Sequence, residues 1–166
     1  MSAIEISEAE ARFRADPAAA RSTPAVTATL VNGRARLSAG SFNWDADLPA
    51  ALGGENLAPS PTAYMLGALA GCAVVFLRDT LARQFDVRLD DVTAVASCSS
   101  DLRGLLAIDD VAPDLGDFTL SITISSPSPA ERIEAMFSAW QDRCPIYLAL
   151  LKPNAIRLET GMATVA

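Results

Sequence analysis

The sequence contains no histidine. This absence excludes Ser-His-Asp and Cys-His catalysis, and it removes the commonest metal ligand in proteins. Without histidine, the three cysteines are too few to complete a structural zinc site. Any chemistry must therefore come from cysteine, arginine, carboxylate, tyrosine or hydroxyl side chains, or from the backbone, and we expect no metal.

Signals for export or membrane insertion are also lacking. Residues 1–14 mix acidic and basic side chains without an apolar core, unlike a signal peptide. The longest apolar run, Ala63 to Leu77, is interrupted only by glycine, and it is shorter than the roughly 20 residues that span a bilayer. An odd number of cysteines argues against a secreted disulfide framework. We therefore expect a cytoplasmic protein with reduced thiols and no membrane contact.

The composition is that of a folded chain. Apolar residues make up 51% of the 166 residues, and the net charge is −7. An acidic chain repels phosphate backbones, so we expect no nucleic-acid partner. Residues 1–24 carry a short helical pattern from Glu8 to Arg14 and breaks at Pro17 and Pro24. They predict an N-terminal arm, and residues 25–166 predict a single domain.

The first third of this domain is predicted to be a small antiparallel β unit. Apolar residues alternate with threonines over 25–31, which is the period of a strand. Asn32-Gly33 follows directly and is a strong signal for a hairpin. Short strands are then predicted over 34–37 and 41–47, and the proline- and glycine-rich segment 48–61 predicts a loop.

A long helix is predicted from Thr62 to Gln84, with Ser60 as its N-cap and Pro61 in the first helical position. The helix is apolar nearly all round, so we expect it to be buried on every side. A chain of this length cannot readily cover such a helix alone. The sequence therefore predicts a dimer in which a partner completes the burial.

The second half alternates between strands and helices. The predicted elements are strands over 87–99 and 117–125, a helix over 130–143 capped by Ser128-Pro129, a short helix over 146–151 and a last strand over 154–159. A predicted loop over 101–114 separates the strand over 87–99 from the strand over 117–125. This order predicts an α+β fold.

The cysteines are the residues with the clearest chemical potential. Cys72 lies in the middle of the long helix, where a free cysteine is ordinarily a small apolar core residue. Cys144 lies at a helix end before Pro145 and after Arg143, where access and a nearby cation favour a thiolate. Cys98, between two serines on a predicted strand, is expected to be structural.

Chemistry at Cys72 would require ionisation. Burial raises a thiol pKa above its free value of about 8.5. Lowering the pKa to about 6 needs roughly 3.4 kcal/mol, and one arginine at about 4 Å supplies roughly 4 kcal/mol at an effective dielectric near 20. The arginines considered for this role are Arg34, Arg36, Arg78 and Arg143, each of which is otherwise a solvated surface residue.

Two pairs of adjacent carboxylates also occur. Asp90-Asp91 and Asp109-Asp110 lack the spacing of an EF-hand, and they are flanked by turn-like residues. We interpret them as solvated loop charge rather than as a metal site.

Several segments together resemble the OsmC/Ohr family. They are Asp47-Leu-Pro, Gly53-Gly54, Pro59-Ser-Pro61, the helix LGALAGCAVVFL around Cys72, and Asp142-Arg-Cys144-Pro145-Ile146. The resemblance extends from about residue 12 to residue 160. It implies antiparallel sheets wrapped around long, cysteine-bearing central helices in an intertwined homodimer.

The resemblance also implies an activity, since active family members are thiol peroxidases that reduce organic hydroperoxides. Cys72 would be the attacking thiolate and Cys144 the resolving thiol. A dithiol reductant, such as a lipoylated protein, would restore both. No metal, haem, flavin or other cofactor is implied.

The family's activating arginine lies on the N-terminal hairpin, where Arg34 is the best match and Arg36 the next. Active members hold that arginine with a glutamate ten residues before the cysteine, and this sequence has Thr62 there. Glu55, in the preceding loop, is a candidate to substitute for the glutamate.

Two alternatives to the peroxidase remain open. One is a non-catalytic dimer that binds a small apolar ligand, which predicts an apolar pocket and separated or fully buried cysteines. The other is a thiol-disulfide sensor, which predicts a reversible disulfide without selectivity for peroxides. The peroxidase predicts sulfurs within disulfide reach and an arginine beside Cys72.

Overall fold

The computed structural model describes residues 3–162. The chain begins with helix α1 (Ala3–Ala15), longer at both ends than the pattern from Glu8 to Arg14 predicts. A 3₁₀ turn (Pro17–Ala20) follows, capped by Asp16, whose Oδ1 accepts the N–H of Ala18 at 3.0 Å. The chain then runs without regular structure into the first strand.

The predicted β unit is an antiparallel three-stranded sheet of β1 (Thr27–Val31), β2 (Arg34–Ala39) and β3 (Phe42–Ala46). Asn32 and Gly33 both have positive φ, of 51° and 77°, as a tight hairpin between twisted strands requires. The Asn-Gly signal therefore fixes the register, in which Val31 pairs with Arg34.

A buried carboxylate organises the loop after β3. Asp47 is 7% exposed, and its oxygens accept the backbone N–H groups of Leu48 at 2.8 Å, Glu55 at 3.2 Å and Leu57 at 3.0 Å. The loop folds so closely around Asp47 that a Cβ at Gly54 would overlap the carbonyl oxygen of Leu48. The loop thus has one conformation, which delivers the chain to the start of the long helix.

The long helix forms as predicted, from Pro61 to Gln84. It consists of α2 (Pro61–Phe76), a π-helical turn (Leu77–Leu81) and α3 (Ala82–Gln84). Ser60 is the N-cap, with its Oγ accepting the N–H of Ala63 at 3.2 Å. The apolar pattern does not predict the π turn, because a single widened turn can form from the same residue types as an α-helical turn.

The second half contains β4 (Asp91–Ser99), a single-turn helix α4 (Leu102–Leu105), β5 (Gly116–Ser125), α5 (Ala130–Arg143) and α6 (Pro145–Leu151). Strands β4 and β5 form an antiparallel two-stranded sheet, and α2 packs mainly on β4. The predicted Ser128 cap is wrong. Its Oγ accepts the N–H of Arg88 at 2.8 Å instead, and α5 has no side-chain cap.

The strand predicted over 154–159 is also absent, since residues 153–162 have no regular structure in the described chain. Ile156 and Leu158 are 91% and 82% exposed. The alternation of apolar residues is present, but no neighbouring strand pairs with it within the described part of the chain, and a strand exists only through such pairing.

The core is built on one face of the long helix. Leu77 and Leu81 have no exposed surface and pack with Met136 and Trp140 of α5, and with residues from β4 and β5. The prediction that the helix is buried on every side is wrong for the single chain, because Val75 remains 46% exposed. The segment Pro61–Gln84, with mean hydropathy 1.6, is also the one helix in residues 3–162 that is long and apolar enough to cross a membrane.

The exposed surface of the chain is unusually large. It measures 12089 Å², whereas a folded monomer of 17.4 kDa exposes about 7,900 Å². The excess of about 4,200 Å² is as large as the surface that obligate partners bury together. The single chain is therefore an incompletely buried unit.

Asp47 makes the stability of the fold dependent on pH. The N–H of Leu57 has the largest effect and those of Leu48 and Glu55 add to it, so the pKa of Asp47 lies below 3.8 despite the opposing effect of burial. A lowered folded-state pKa contributes stability above the unfolded value, and this stability is lost as the pH falls through the folded value. We expect Asp47→Asn to lower the melting temperature at pH 7, and we expect its difference from wild type to narrow as the pH falls through the lowered pKa of Asp47.

Thermal unfolding followed by circular dichroism at several pH values measures this effect. Asp110→Asn, which changes a carboxylate in the exposed loop after α4, is the matched control and should melt like wild type. Equal melting temperatures for Asp47→Asn and wild type at pH 7 would contradict the role assigned to Asp47.

Candidate functional site

Cys72 and Cys144 come together although 72 residues separate them in sequence. The thiol of Cys144 donates towards Sγ of Cys72 at an Sγ–Sγ distance of 3.3 Å. A disulfide has an S–S length of about 2.05 Å, so an approach of about 1.3 Å would form one. Both thiols are free in the structure.

Cys144 is positioned by the break between α5 and α6. Its N–H still donates to the carbonyl of Trp140 at 2.8 Å, while its own carbonyl accepts the N–H of Leu148 at 3.0 Å. Pro145 prevents α5 from continuing and begins α6, which gives the chain a sharp bend at the cysteine. Cys144 is fully buried at this bend, and Cys72 on α2 is partly exposed.

The environment of Cys72 within one chain opposes its ionisation. Burial is the largest cause, and the adjacent Cys144 adds to it, so the pKa of the Cys72 thiol rises to about 11. The N–H of Ile146, in the first turn of α6, acts in the opposite direction. At pH 7 a thiol with this pKa is ionised to about one part in 10,000.

Arg34 and Arg36 lie on β2 and share one carboxylate. Nη1 of Arg34 is 4.0 Å from Oδ2 of Asp45, and Nε of Arg36 donates to Oδ1 of the same residue. Nε of Arg34 is buried and has no hydrogen-bond acceptor. Arg34 also lines a cavity of about 210 Å³ beside Gly53 and Gly54. The influences on the pKa of Cys72 include neither arginine.

The two other arginines considered for this role are engaged elsewhere. Arg78 forms an exposed ion pair with Asp79 at 2.7 Å. Arg143, although next to Cys144 in sequence, donates to the carbonyl of Ala139 at 3.2 Å and to Gln84 at 3.0 Å.

Thr62 and Glu55 both lie near the start of the long helix. Thr62 is half-buried in the first turn of α2. Glu55 is exposed, and its backbone N–H, rather than its carboxylate, supports the loop by bonding to Asp47. The carboxylate that contacts Arg34 is Asp45, a residue without a motif of its own. Its position opposite Arg36 in the hairpin register is the signal that would have identified it.

The remaining residues of interest have structural surroundings. Cys98 lies half-buried on β4 beside a bulge in the β4–β5 pairing. Asp90 pairs with Arg88, and Asp109 with Arg103. Among residues 3–162 no group of three or more cysteine or acidic side chains is arranged to hold a metal ion.

A groove of mixed polarity lies near the cysteine pair. A cavity of about 470 Å³ opens between β5, α5 and α6, and it includes Trp140, one turn before Cys144, and Tyr147, one turn after it. Its other lining residues are Phe118, Leu120, Ile122, Phe137, Gln141 and Leu151. This volume is within the range of small-molecule sites.

Solved structures share this fold. An OsmC-like protein from Mycoplasma pneumoniae superposes with a TM-score of 0.66 at 19% identity, over 78% of this chain and 88% of that one. An organic hydroperoxide resistance protein OsmC from Legionella pneumophila, also named as a predicted redox protein and regulator of sulfide bond formation, superposes with a TM-score of 0.58 at 22% identity, over 78% and 89%. A protein from Psychrobacter arcticus, named for osmotic stress induction and detoxification response, gives 0.61 at 16% identity, over 78% and 89%.

No curated protein matches the chain. At these identities the structural likeness establishes the fold alone. The sequence model of OsmC-like proteins matches residues 53–159, which include both cysteines of the pair and more than half of the chain. The chain therefore belongs to the OsmC family.

Proposed function

We propose that the protein is a thiol-dependent peroxidase that reduces organic hydroperoxides through a Cys72 thiolate and a Cys72–Cys144 disulfide. The observation that carries the proposal is the 3.3 Å distance between the two sulfurs, one of which is partly exposed and the other buried behind it. A structural role needs no such pairing of free thiols. Two neighbours of the same fold, named for hydroperoxide resistance and for detoxification, add support.

The proposed reaction balances without a metal or cofactor. The Cys72 thiolate attacks the terminal oxygen of the hydroperoxide, the O–O bond breaks, and the alcohol leaves after taking up a proton. Cys72 is then a sulfenic acid. The Cys144 thiol attacks its sulfur and displaces water, which forms the disulfide. A dithiol such as a lipoylated protein reduces this disulfide by exchange and is itself oxidised.

A cation is needed to generate the thiolate. One arginine at about 4 Å is worth roughly 4 kcal/mol at an effective dielectric near 20, which lowers a pKa by about 3. From about 11 in the single chain, the pKa of Cys72 would fall to about 8. An arginine therefore makes about one tenth of the Cys72 thiol ionised at pH 7. Burial beside Cys144 increases the stabilisation that the thiolate needs beyond the value calculated from a free thiol.

We propose that a second copy of the chain supplies this cation and completes an intertwined homodimer. The excess exposed surface, the uncovered face of α2 and the exposed Ile156 and Leu158 of the unpaired segment 153–162 all support a partner. The buried Nε of Arg34 has no acceptor among residues 3–162. The partner subunit's Arg34 would face Cys72, with Arg36 held on Asp45 in a supporting position.

The same proposal covers the organisation and location of the protein. We infer that residues 1–24 act as an arm, in which Glu10 of α1 accepts a hydrogen bond from Gln84 at 3.3 Å. Residues 25–166 act as one domain. Free, closely spaced thiols suit the reducing cytoplasm, where a dithiol reductant is available and disulfides do not persist.

The groove beside the cysteines favours a second candidate function. A cavity of about 470 Å³ lined by aromatic and aliphatic side chains together with polar groups would suit a non-catalytic dimer that binds a small ligand, the alternative with an apolar ligand being served only in part. The close sulfurs argue against this alternative, because ligand binding alone does not bring two thiols together. A thiol-disulfide sensor would use the same sulfur pair, and turnover distinguishes it from a peroxidase.

Treatment of the reduced protein with one equivalent of an organic hydroperoxide tests the chemistry. We expect a rapid loss of two thiols and a mass decrease of about 2 Da, mapped by peptide mass spectrometry to a Cys72–Cys144 disulfide. Cys72→Ser should abolish the reaction. Cys144→Ser should leave a sulfenic acid on Cys72 that dimedone traps.

Cys98→Ser is the matched control, since it removes a half-buried cysteine outside the pair, and it should react like wild type. Survival of both thiols under conditions that oxidise a known peroxidase would contradict the catalytic proposal. Sustained consumption of hydroperoxide with excess dithiol distinguishes a peroxidase from a sensor, which reacts only once per activation.

The dimer is tested by light scattering coupled to size exclusion. We expect a mass of about 35 kDa, twice the 17.4 kDa of one chain. Val75→Glu, which places a charge on the uncovered face of α2, should shift the mass towards one chain or reduce the melting temperature sharply. Val95→Glu, on the polar outer face of β4, is the control and should remain dimeric. A wild-type mass of one chain at micromolar concentration would overturn the homodimer.

A further inference from the structure

Arg34 forms an ion pair with a carboxylate on the neighbouring strand. Arg34 and Arg36 are two residues apart on β2, so their side chains share one face of the hairpin. Asp45 pairs directly with Arg36 in the register of β2 and β3. Its carboxylate therefore lies between the guanidinium groups, with Oδ2 at 4.0 Å from Nη1 of Arg34 and at 3.4 Å from Nη2 of Arg36.

This ion pair is more sheltered than an ordinary surface pair. The side chains of Arg34 and Asp45 are 29% and 26% exposed, whereas Arg88, in the pair with Asp90, is 74% exposed. Partial burial reduces screening by solvent and salt, so the pair constrains the position of the guanidinium group more than exposed pairs do.

Asp45 is itself tied to α2 of its own chain. The hydroxyl of Tyr64, in the first turns of α2, donates to the backbone carbonyl of Asp45 at 2.6 Å. Asp47, the other carboxylate near Arg34, is already bonded to three backbone N–H groups. The carboxylate of Asp45 is thus available to pair with Arg34, and its residue is fixed relative to α2 of the same chain.

The contact leaves a buried donor of Arg34 without a partner. Asp45 lies 4.0 Å from Nη1, while the buried Nε has no acceptor in the described part of the chain. An unsatisfied buried donor is costly, and a donor on a cation prefers an anionic acceptor. The thiolate proposed above is such an acceptor.

We infer that Asp45 is the positioning residue for Arg34, holding its guanidinium group so that Nε–H is free for the Cys72 thiolate or the bound hydroperoxide. The inference rests on the proposed function, because it assigns Asp45 a role through Arg34. It also assigns a carboxylate partner to Arg34 in a chain that has Thr62, and no glutamate, at the start of the long helix. Asp45 supplies a carboxylate from β3, whereas Glu55 contacts the loop only through its backbone N–H.

Whether Asp45→Asn speeds or slows the alkylation of Cys72 distinguishes a positioning role of Asp45 from a purely electrostatic one. Replacing Asp45 by the isosteric asparagine removes a negative charge near Arg34. By charge alone, this would favour the Cys72 thiolate and speed its alkylation at pH 7. If Asp45 positions Arg34, its loss frees the guanidinium group to leave the site. Alkylation of Cys72 should then slow by about tenfold, which corresponds to a rise of about one in the apparent pKa of this thiol.

The measurement is the rate of iodoacetamide alkylation at Cys72 in the reduced full-length protein from pH 6 to 10, with each cysteine resolved by peptide mass spectrometry. Asp45→Asn should shift the pH profile upwards, and Asp45→Glu should restore part of the wild-type rate. Asp90→Asn, which breaks the exposed Arg88 pair, is the matched control and should leave the profile unchanged. A profile for Asp45→Asn that is unchanged or shifted downwards would overturn the inference.

Arg34→Gln separates this inference from the proposed function. It should slow alkylation at least as much as Asp45→Asn, and the double variant should match Arg34→Gln alone, because Asp45 acts through Arg34. If Arg34→Gln has no effect, Arg34 is not the activating cation, and the roles of Arg34 and Asp45 both fall, whereas the reaction of the two cysteines is decided by the hydroperoxide experiment. If Arg34→Gln slows alkylation and Asp45→Asn does not, the role of Arg34 stands and only the role of Asp45 is refuted.

Discussion

Burial of one face of the helix over residues 61–84 is the constraint on which the rest of the structure depends. Leu77 and Leu81 are fully buried in a cluster that includes residues of α5. This packing places the C-terminal end of α5 beside the long helix. The bend that Pro145 forces on the chain then places Cys144 at 3.3 Å from Cys72. The sulfur pair is thus a consequence of hydrophobic packing between helices, and the rigidity of that packing holds two reactive groups together without a covalent bond.

The opposite face of the same helix leaves the single chain incomplete in two ways. Apolar surface on α2 remains exposed, and the Cys72 thiol has a pKa of about 11 because the chain buries it without a cation. On the N-terminal hairpin, a buried Nε–H of Arg34 lacks an acceptor. The chain thus has an uncovered apolar face, a thiol without a nearby cation and a buried N–H without an acceptor among residues 3–162. A partner subunit that covers the helix with its own hairpin would remove all three, which would link assembly to thiol activation.

Hydrogen bonds to polar groups determine how β3 and the loop after it are placed relative to α2. Asp47 accepts three backbone N–H groups and fixes the loop, while Tyr64 ties β3 to α2 through the carbonyl of Asp45. These bonds are local in space but distant in sequence, and they determine how the Arg34 hairpin is presented. The hairpin is therefore tied to α2 although it lies apart from the hydrophobic core, as the role proposed for Arg34 requires.

The sequence by itself determined the local elements and the kind of chemistry. Asn32-Gly33 specified the hairpin, Ser60-Pro61 specified the start of the long helix, and the absence of histidine left the cysteines as the clearest nucleophiles, because each of these rests on the conformation or chemistry of the residues themselves. The tertiary structure decided the rest. It brought Cys72 to Cys144, assigned the contact with Arg34 to Asp45 rather than Glu55, left residues 154–159 unpaired, and exposed a face of a helix predicted to be fully buried. These outcomes depend on residues far apart in the chain, and a hydrophobic pattern records that a surface must be buried without recording which surface, or which chain, buries it.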